Sequence, residues 1–269
     1  MREESPIRLR QPAVAGTFYP ADPGELDVAV RGYLERAHVG EPNAAPPKAV
    51  IAPHAGYVYS GPVAASAYVE VARLRGVIER VALLGPCHRV PVLGLAASAA
   101  DAFVTPLGEV PVDRDSVDRL LRLPQVEVLE AAHAGEHSLE VHLPFLQCVL
   151  DRFHLVPLVV GDATASEVDE VLEELWGGPE TLIVVSSDLS HYYDYPTARR
   201  LDAETSRAIE NLRPEDLGDD SACGRAPASG LLVAARRHGL HVRTVDLRNS
   251  GDTAGSRDRV VGYGSYVFA

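Results

Sequence analysis

Three histidines in this chain of 269 residues come just after short apolar runs, which is where an open α/β sheet delivers side chains to a ligand. Ala49-Val-Ile-Ala52 reads as a buried strand that stops at Pro53, which cannot donate to a ladder, and His54 follows at once. Arg80-Val-Ala-Leu-Leu-Gly85 runs into Pro86, Cys87 and His88 in the same way. Thr181-Leu-Ile-Val-Val-Ser186 ends in Ser187-Asp188-Leu189-Ser190-His191. One such histidine is ordinary on a surface loop, but three at the ends of parallel strands point to a shared site. Imidazole nitrogens suit zinc, copper, iron and nickel, and donors gathered from separate loops suit a partly open, catalytic centre.

His54 and His88 need a third ligand, and Cys223 is the best candidate, in Ser221-Ala-Cys-Gly-Arg225 just ahead of a helix. A thiol beside a helix N-terminus and an arginine has its thiolate favoured, and the thiolate is the form that binds metal. The bland alternative for Cys223 is a small buried hydrophobe. Cys87 adjoins His88, but neighbours on an extended chain point to opposite sides. Asp188 and His191 are three residues apart past a strand, so a turn is expected to bring carboxylate and imidazole into contact. His191 would then act as acid/base, with Asp188 fixing its tautomer.

The stretch Gly135-Glu-His-Ser-Leu-Glu-Val-His-Leu-Pro144 is rich in ligand types, but its histidines are five apart and it is not HExxH. Glu136 and His137 are expected to support a ligand or face a substrate, as is Arg225, while His142 is expected to pack on a helix. There is no nucleophile elbow, Walker loop or dinucleotide fingerprint. Ser186, Ser187, Asp188 and His191 are crowded into six residues, too tight for a productive Ser/His/Asp triad.

The elements that must position these residues follow from periodicity. Helices are expected from Pro23 to Ala37 and over 62–75, 114–123, 166–176, 196–212 and 227–238, with a connector at 40–47. Strands are expected at 48–52, 80–85, 126–130, 154–161, 181–186, 241–248 and 262–268, with an antiparallel excursion between Val92 and Val112. This predicts a single α/β domain over 1–269, a mixed, mainly parallel sheet with helices on both faces. The net charge of −13 argues against binding nucleic acid or an anionic membrane surface. Three cysteines without a CxxC pair fit a reducing compartment. With no signal peptide and no apolar run of roughly 18 residues, a soluble cytoplasmic protein is expected.

The motifs IAPHAGYVYSG (51–61), LGPCH (84–88), GEHSLEVHLPF (135–145), VVSSDLSHY (184–192) and CGR (223–225) resemble those of the Memo family, and the resemblance runs from AGTFYP (15–20) to GYGSY (262–266). Prokaryotic members are called the B protein of the AmmeMemoRadiSam system. The resemblance implies a fold like that of the class III extradiol dioxygenases and a metal set of His54, His88 and Cys223, with Asp188 and His191 beside it. It also implies radical-SAM and AMMECR-type partners; eukaryotic relatives are linked to phosphotyrosine-peptide binding and to copper- or iron-dependent redox chemistry. Extradiol dioxygenases hold Fe(II) with two histidines and a carboxylate. Here a thiolate takes the third position, so oxygenase activity does not follow from the fold. Three functions are open: a redox enzyme holding a metal, iron or copper ahead of zinc; a non-catalytic module binding a peptide, partner or small molecule; and group transfer with Cys223 as nucleophile. Converging histidines favour the first over the third.

Overall fold

The computed structural model describes residues 7–37, 45–218 and 220–269; Met1–Pro6 and residues 40–44 of the expected connector lie outside them. The centre of the protein is four parallel strands in the order Ala49–Ala52, Thr181–Ser186, Arg80–Pro86 and His154–Val160. Their Val-, Leu- and Ile-rich runs are buried on both faces, as expected of a parallel core. On one flank Val260–Phe268 pairs antiparallel with Ala49–Ala52, and both Asp188–Tyr193 and Val242–Asn249 pair antiparallel with it. On the other flank Leu95–Ala97 pairs antiparallel with His154–Val160 and carries Val126–Val128. The main parallel block of this nine-stranded sheet is therefore its centre; both wings join it through antiparallel pairs, and Val126–Val128 is again parallel to Leu95–Ala97. A small second sheet joins Leu9–Arg10, Ala102–Thr105 and Gly108–Pro111.

Register sets up the site. Ala52 lies opposite Ser186, and Leu84 opposite Val185, so the loops after these three strands open on the same rim. Helix Arg225–Arg237 packs over strands Arg80–Pro86 and Thr181–Ser186 and carries Ala165–Leu175 against it. The latter helix begins with a capping box between Thr164 and Glu167. Tyr57–Val71 and Tyr195–Glu210 pack against Val260–Phe268.

Two elements differ from expectation. The helix expected from 62 begins at Tyr57, capped by Gly56, with Pro62 inside it. The hydrogen bond Pro62 cannot make would have fallen to the carbonyl of Val58, an exposed residue whose backbone can turn to water. The segment read as a loop after Ser186 is instead the strand Asp188–Tyr193, whose polar sequence hides it from a pattern search.

Two buried histidines give the fold a pH dependence. His133 donates Nε2–H to the Ala96 carbonyl at 3.0 Å, and burial lowers its pKa from 6.5 to about 4. Burial likewise holds His142 at about 3. Both are neutral when folded but take up protons near pH 6.5 when unfolded. The unfolded chain therefore binds more protons as pH falls, and stability declines from about pH 6.5 towards pH 4. Urea midpoints measured at pH 7 and pH 5 should show that decline, weakened in His133→Gln; a midpoint unchanged across the window would refute it.

Candidate metal centre

His54 is delivered by the end of Ala49–Ala52 and is buried. Its backbone N–H donates to Asp188 Oδ1 at 2.8 Å, and its ring Nδ1 lies 2.6 Å from Ser186 Oγ. The other ring nitrogen, Nε2, faces Cys223 Sγ at 3.4 Å and Asp188 Oδ2 at 3.9 Å. Two ligands on one tetrahedral ion with ordinary metal–nitrogen and metal–sulfur bonds stand about 3.5 Å apart, so the His54–Cys223 spacing fits a shared metal.

His88 is held by a charged anchor. Glu136 accepts its backbone N–H at 2.6 Å and faces its Nδ1 at 2.9 Å, and also accepts the N–H groups of His137 at 2.8 Å and Ser138 at 2.9 Å. Burial alone would raise the Glu136 pKa, but the hydrogen bonds from His88 and Ser138 outweigh it and hold the carboxylate at about 2. Donating Nδ1–H to this carboxylate leaves His88 Nε2 free.

One ligand atom from each of His54, His88 and Cys223 lies within 4.8 Å of the other two. His88, Glu136 and His137 form a second such group, but four donors already engage the Glu136 carboxylate, so it is the better anchor and the poorer ligand. His137 closes the cluster, with ring centroids 5.5 Å from His54, 4.8 Å from His88 and 4.7 Å from Phe18. Its buried Nδ1 stands 3.3 Å from Glu136 Oε1 but makes no hydrogen bond among the described residues.

The sequence matches the Memo-like protein family over residues 10–267. The chain belongs to the Memo family. It is 37% identical to a MEMO1 family protein of Aquifex aeolicus, across 97% of this chain and all of that relative. The identity is also 37% to one from Ignicoccus hospitalis, across 97% and 98% of the two chains. An uncharacterized Escherichia coli K12 protein of known structure shares the fold, with a TM-score of 0.55 and 14% identity over 80% of this chain and 98% of that one. No described helix is long and apolar enough to cross a membrane.

In this Memo protein, then, His54, His88, Cys223, Asp188, Glu136 and His137 gather at one rim. Cys87 turns aside and donates its thiol to the Val90 carbonyl at 3.0 Å. Arg225 is exposed at the start of its helix, in a concavity with Asp162, Thr164 and Glu215 that none of the clustered histidines lines. Two expectations need correction. Asp188 and His191 do not form a hydrogen-bonded pair: they lie on an extended strand, and the Asp188 carboxylate accepts the His54 amide instead. The His191 side chain is half-buried and makes no hydrogen bond among the described residues, while its backbone pairs with Val261. The Cys223 thiol is not poised as a thiolate either. Burial and the neighbouring Asp188 push its pKa well up, against the opposing backbone hydrogen bonds.

Ser186, Ser138, His142 and Tyr68 escaped the sequence reading as members of the site. His142 Nε2 lies 2.8 Å from Ser186 Oγ and its Nδ1 2.8 Å from Tyr68 OH, while Ser186 Oγ donates to the Ser138 carbonyl at 2.6 Å. Close approach makes this possible. A Cβ on Gly85 would stand 2.9 Å from Ser138 Oγ, and one on Gly224 would stand 2.4 Å from the Ser186 carbonyl. Glycine at those positions lets the 136–142 segment and the Cys223 loop close over the strand ends.

Proposed function

We propose that this protein is a metal-dependent redox enzyme in which His54, His88 and Cys223 hold one iron or copper ion. The convergence of two imidazole nitrogens and a thiol within 4.8 Å of one another carries this reading. When bound, such an ion supplies Lewis acidity and one-electron redox chemistry. The chain's own residues do the rest. Glu136 and Ser186 orient the two rings, Asp188 holds the His54 loop through its amide, and His191 stands half-exposed at the rim, free to exchange a proton with a substrate. Action in the cytoplasm beside radical-SAM and AMMECR-type proteins belongs to the same proposal and rests on the family resemblance.

A second reading, a binding module without turnover, is favoured by a cleft of about 550 Å³ lined by Phe18, Tyr19, Tyr33, Tyr57 and Tyr59. Phe18 joins this cleft to His137 and so to the cluster. Elemental analysis after anaerobic purification and titration tests the metal. The protein should take up Fe(II) or Cu(I) near stoichiometrically and cycle between oxidation states. Uptake without redox cycling would favour the binding module, and no uptake at all would end the metal reading. Asp188→Asn, which keeps an acceptor for the His54 amide, should leave metal content nearly intact, whereas Asp188→Ala should lower both metal content and melting temperature. Equal behaviour of the two variants would refute the loop-holding role.

A further inference from the structure

The hydroxyl of Ser186 has three polar neighbours and one proton. It lies 2.6 Å from the Ser138 carbonyl, 2.6 Å from His54 Nδ1 and 2.8 Å from His142 Nε2. Each of these distances requires a proton between the two atoms. A carbonyl only accepts, so the Ser186 proton goes to Ser138. The serine's two lone pairs must then accept from the rings, which places one proton on His54 Nδ1 and one on His142 Nε2. His142 Nδ1 is left bare and accepts from Tyr68 OH at 2.8 Å. A single arrangement satisfies every group in this fully buried chain.

We infer that Ser186, backed by His142 and Tyr68, is a positioning device that locks His54 in its Nδ1–H tautomer and so presents the bare Nε2 to the site. The inference deepens the metal reading and rests on it for its purpose, though not for its geometry. It makes the two histidines unequal. His88 leans on a carboxylate, whereas His54 leans on a neutral hydroxyl whose proton is committed elsewhere. His54 is therefore oriented by a neutral anchor and His88 by a charged one. Its lock is built into the core before any metal arrives, and an imidazole that had to change tautomer on binding would pay for it in affinity.

Nitrogen-15 NMR of the metal-free protein reads the tautomers directly. His54 should be protonated at Nδ1 and bare at Nε2, and His142 the reverse. Tyr68→Phe should leave the His54 pattern intact and keep His142 protonated at Nε2, removing only the hydrogen bond to its Nδ1. Ser186→Ala should mix the His54 tautomers and weaken Co(II) affinity by about 10–100-fold, the usual cost of losing a group that anchors a ligand. Ser186→Thr, which keeps the hydroxyl, should restore most of that affinity. His54 carrying its proton on Nε2 in the wild type would overturn the inference, as would wild-type Co(II) affinity in a folded Ser186→Ala. Should the wild type fail to bind Co(II), the metal reading falls, yet the NMR spectrum still decides the lock. Should Ser186→Ala fail to fold, the wild-type and Tyr68→Phe spectra decide it.

Discussion

Cys223→Ser, His54→Ala and His88→Ala are each expected to weaken metal binding by more than about 100-fold, beyond the range typical of residues that only anchor a ligand. The reason is geometric. The three donors come from three separate loops and lie within 4.8 Å of one another, so no neighbour on the same loop can replace a lost one. Cys87 is the nearest thiol in sequence to His88, but it is committed to the Val90 carbonyl. Cys223→Ser should also abolish the thiolate-to-metal charge-transfer band of the Co(II) form, which neither histidine variant would remove selectively. Because burial and Asp188 keep the Cys223 thiol protonated, metal uptake must release a proton, and affinity should rise with pH. His238→Ala and Cys148→Ser serve as controls. The His238 ring stacks on Trp176 at 3.8 Å, and the Cys148 thiol lies 3.7 Å from Asp27, both apart from the cluster. Equal uptake by wild type and all three ligand variants in elemental analysis would refute the assignment.

Much of this site could be read from sequence because parallel strands carry it. An apolar run that stops at proline or serine marks a strand end, and register alone then brings His54, His88 and Asp188 to one rim. What the sequence could not show was which partner each polar group takes. Asp188 and His191 suggested a turn by their spacing, yet pairing with Val260–Phe268 pulls them into a strand, and the carboxylate turns to the His54 amide. The thiol of Cys223 looked activated by its helix and Arg225, but burial is a tertiary fact and reverses the direction of the shift. The lock on His54 was hidden for the same reason. Ser186 and His142 are 44 residues apart, Tyr68 and His142 are 74 apart, and no local period records such contacts.

Glu140→Ala is expected to destabilise the protein by about 3–5 kcal/mol, the range for breaking a buried ion pair from one side. Glu140 is fully buried and pairs with the buried guanidinium of Arg10. It also accepts the N–H groups of Ala13 at 2.7 Å and Val14 at 3.0 Å and the hydroxyl of Tyr19. Arg10 in turn donates to the carbonyls of His133 and Glu136. The pair thus clamps the 10–19 segment, with Phe18 against His137, onto the stretch that carries Glu136 and His142. Removing the carboxylate strands a charge, two amides and a hydroxyl at once, whereas Tyr19→Phe removes one bond and should cost only about 1 kcal/mol. The melting temperature of Glu140→Ala should fall by on the order of 10 °C. Arg10→Met combined with Glu140→Leu separates the causes. If the stranded guanidinium dominates, the double variant should be more stable than Glu140→Ala while remaining below wild type, because the Ala13 and Val14 amides still lack an acceptor. A double variant no better than Glu140→Ala would place the cost in those amides, and a Glu140→Ala protein within about 1 kcal/mol of wild type would show that the clamp holds nothing.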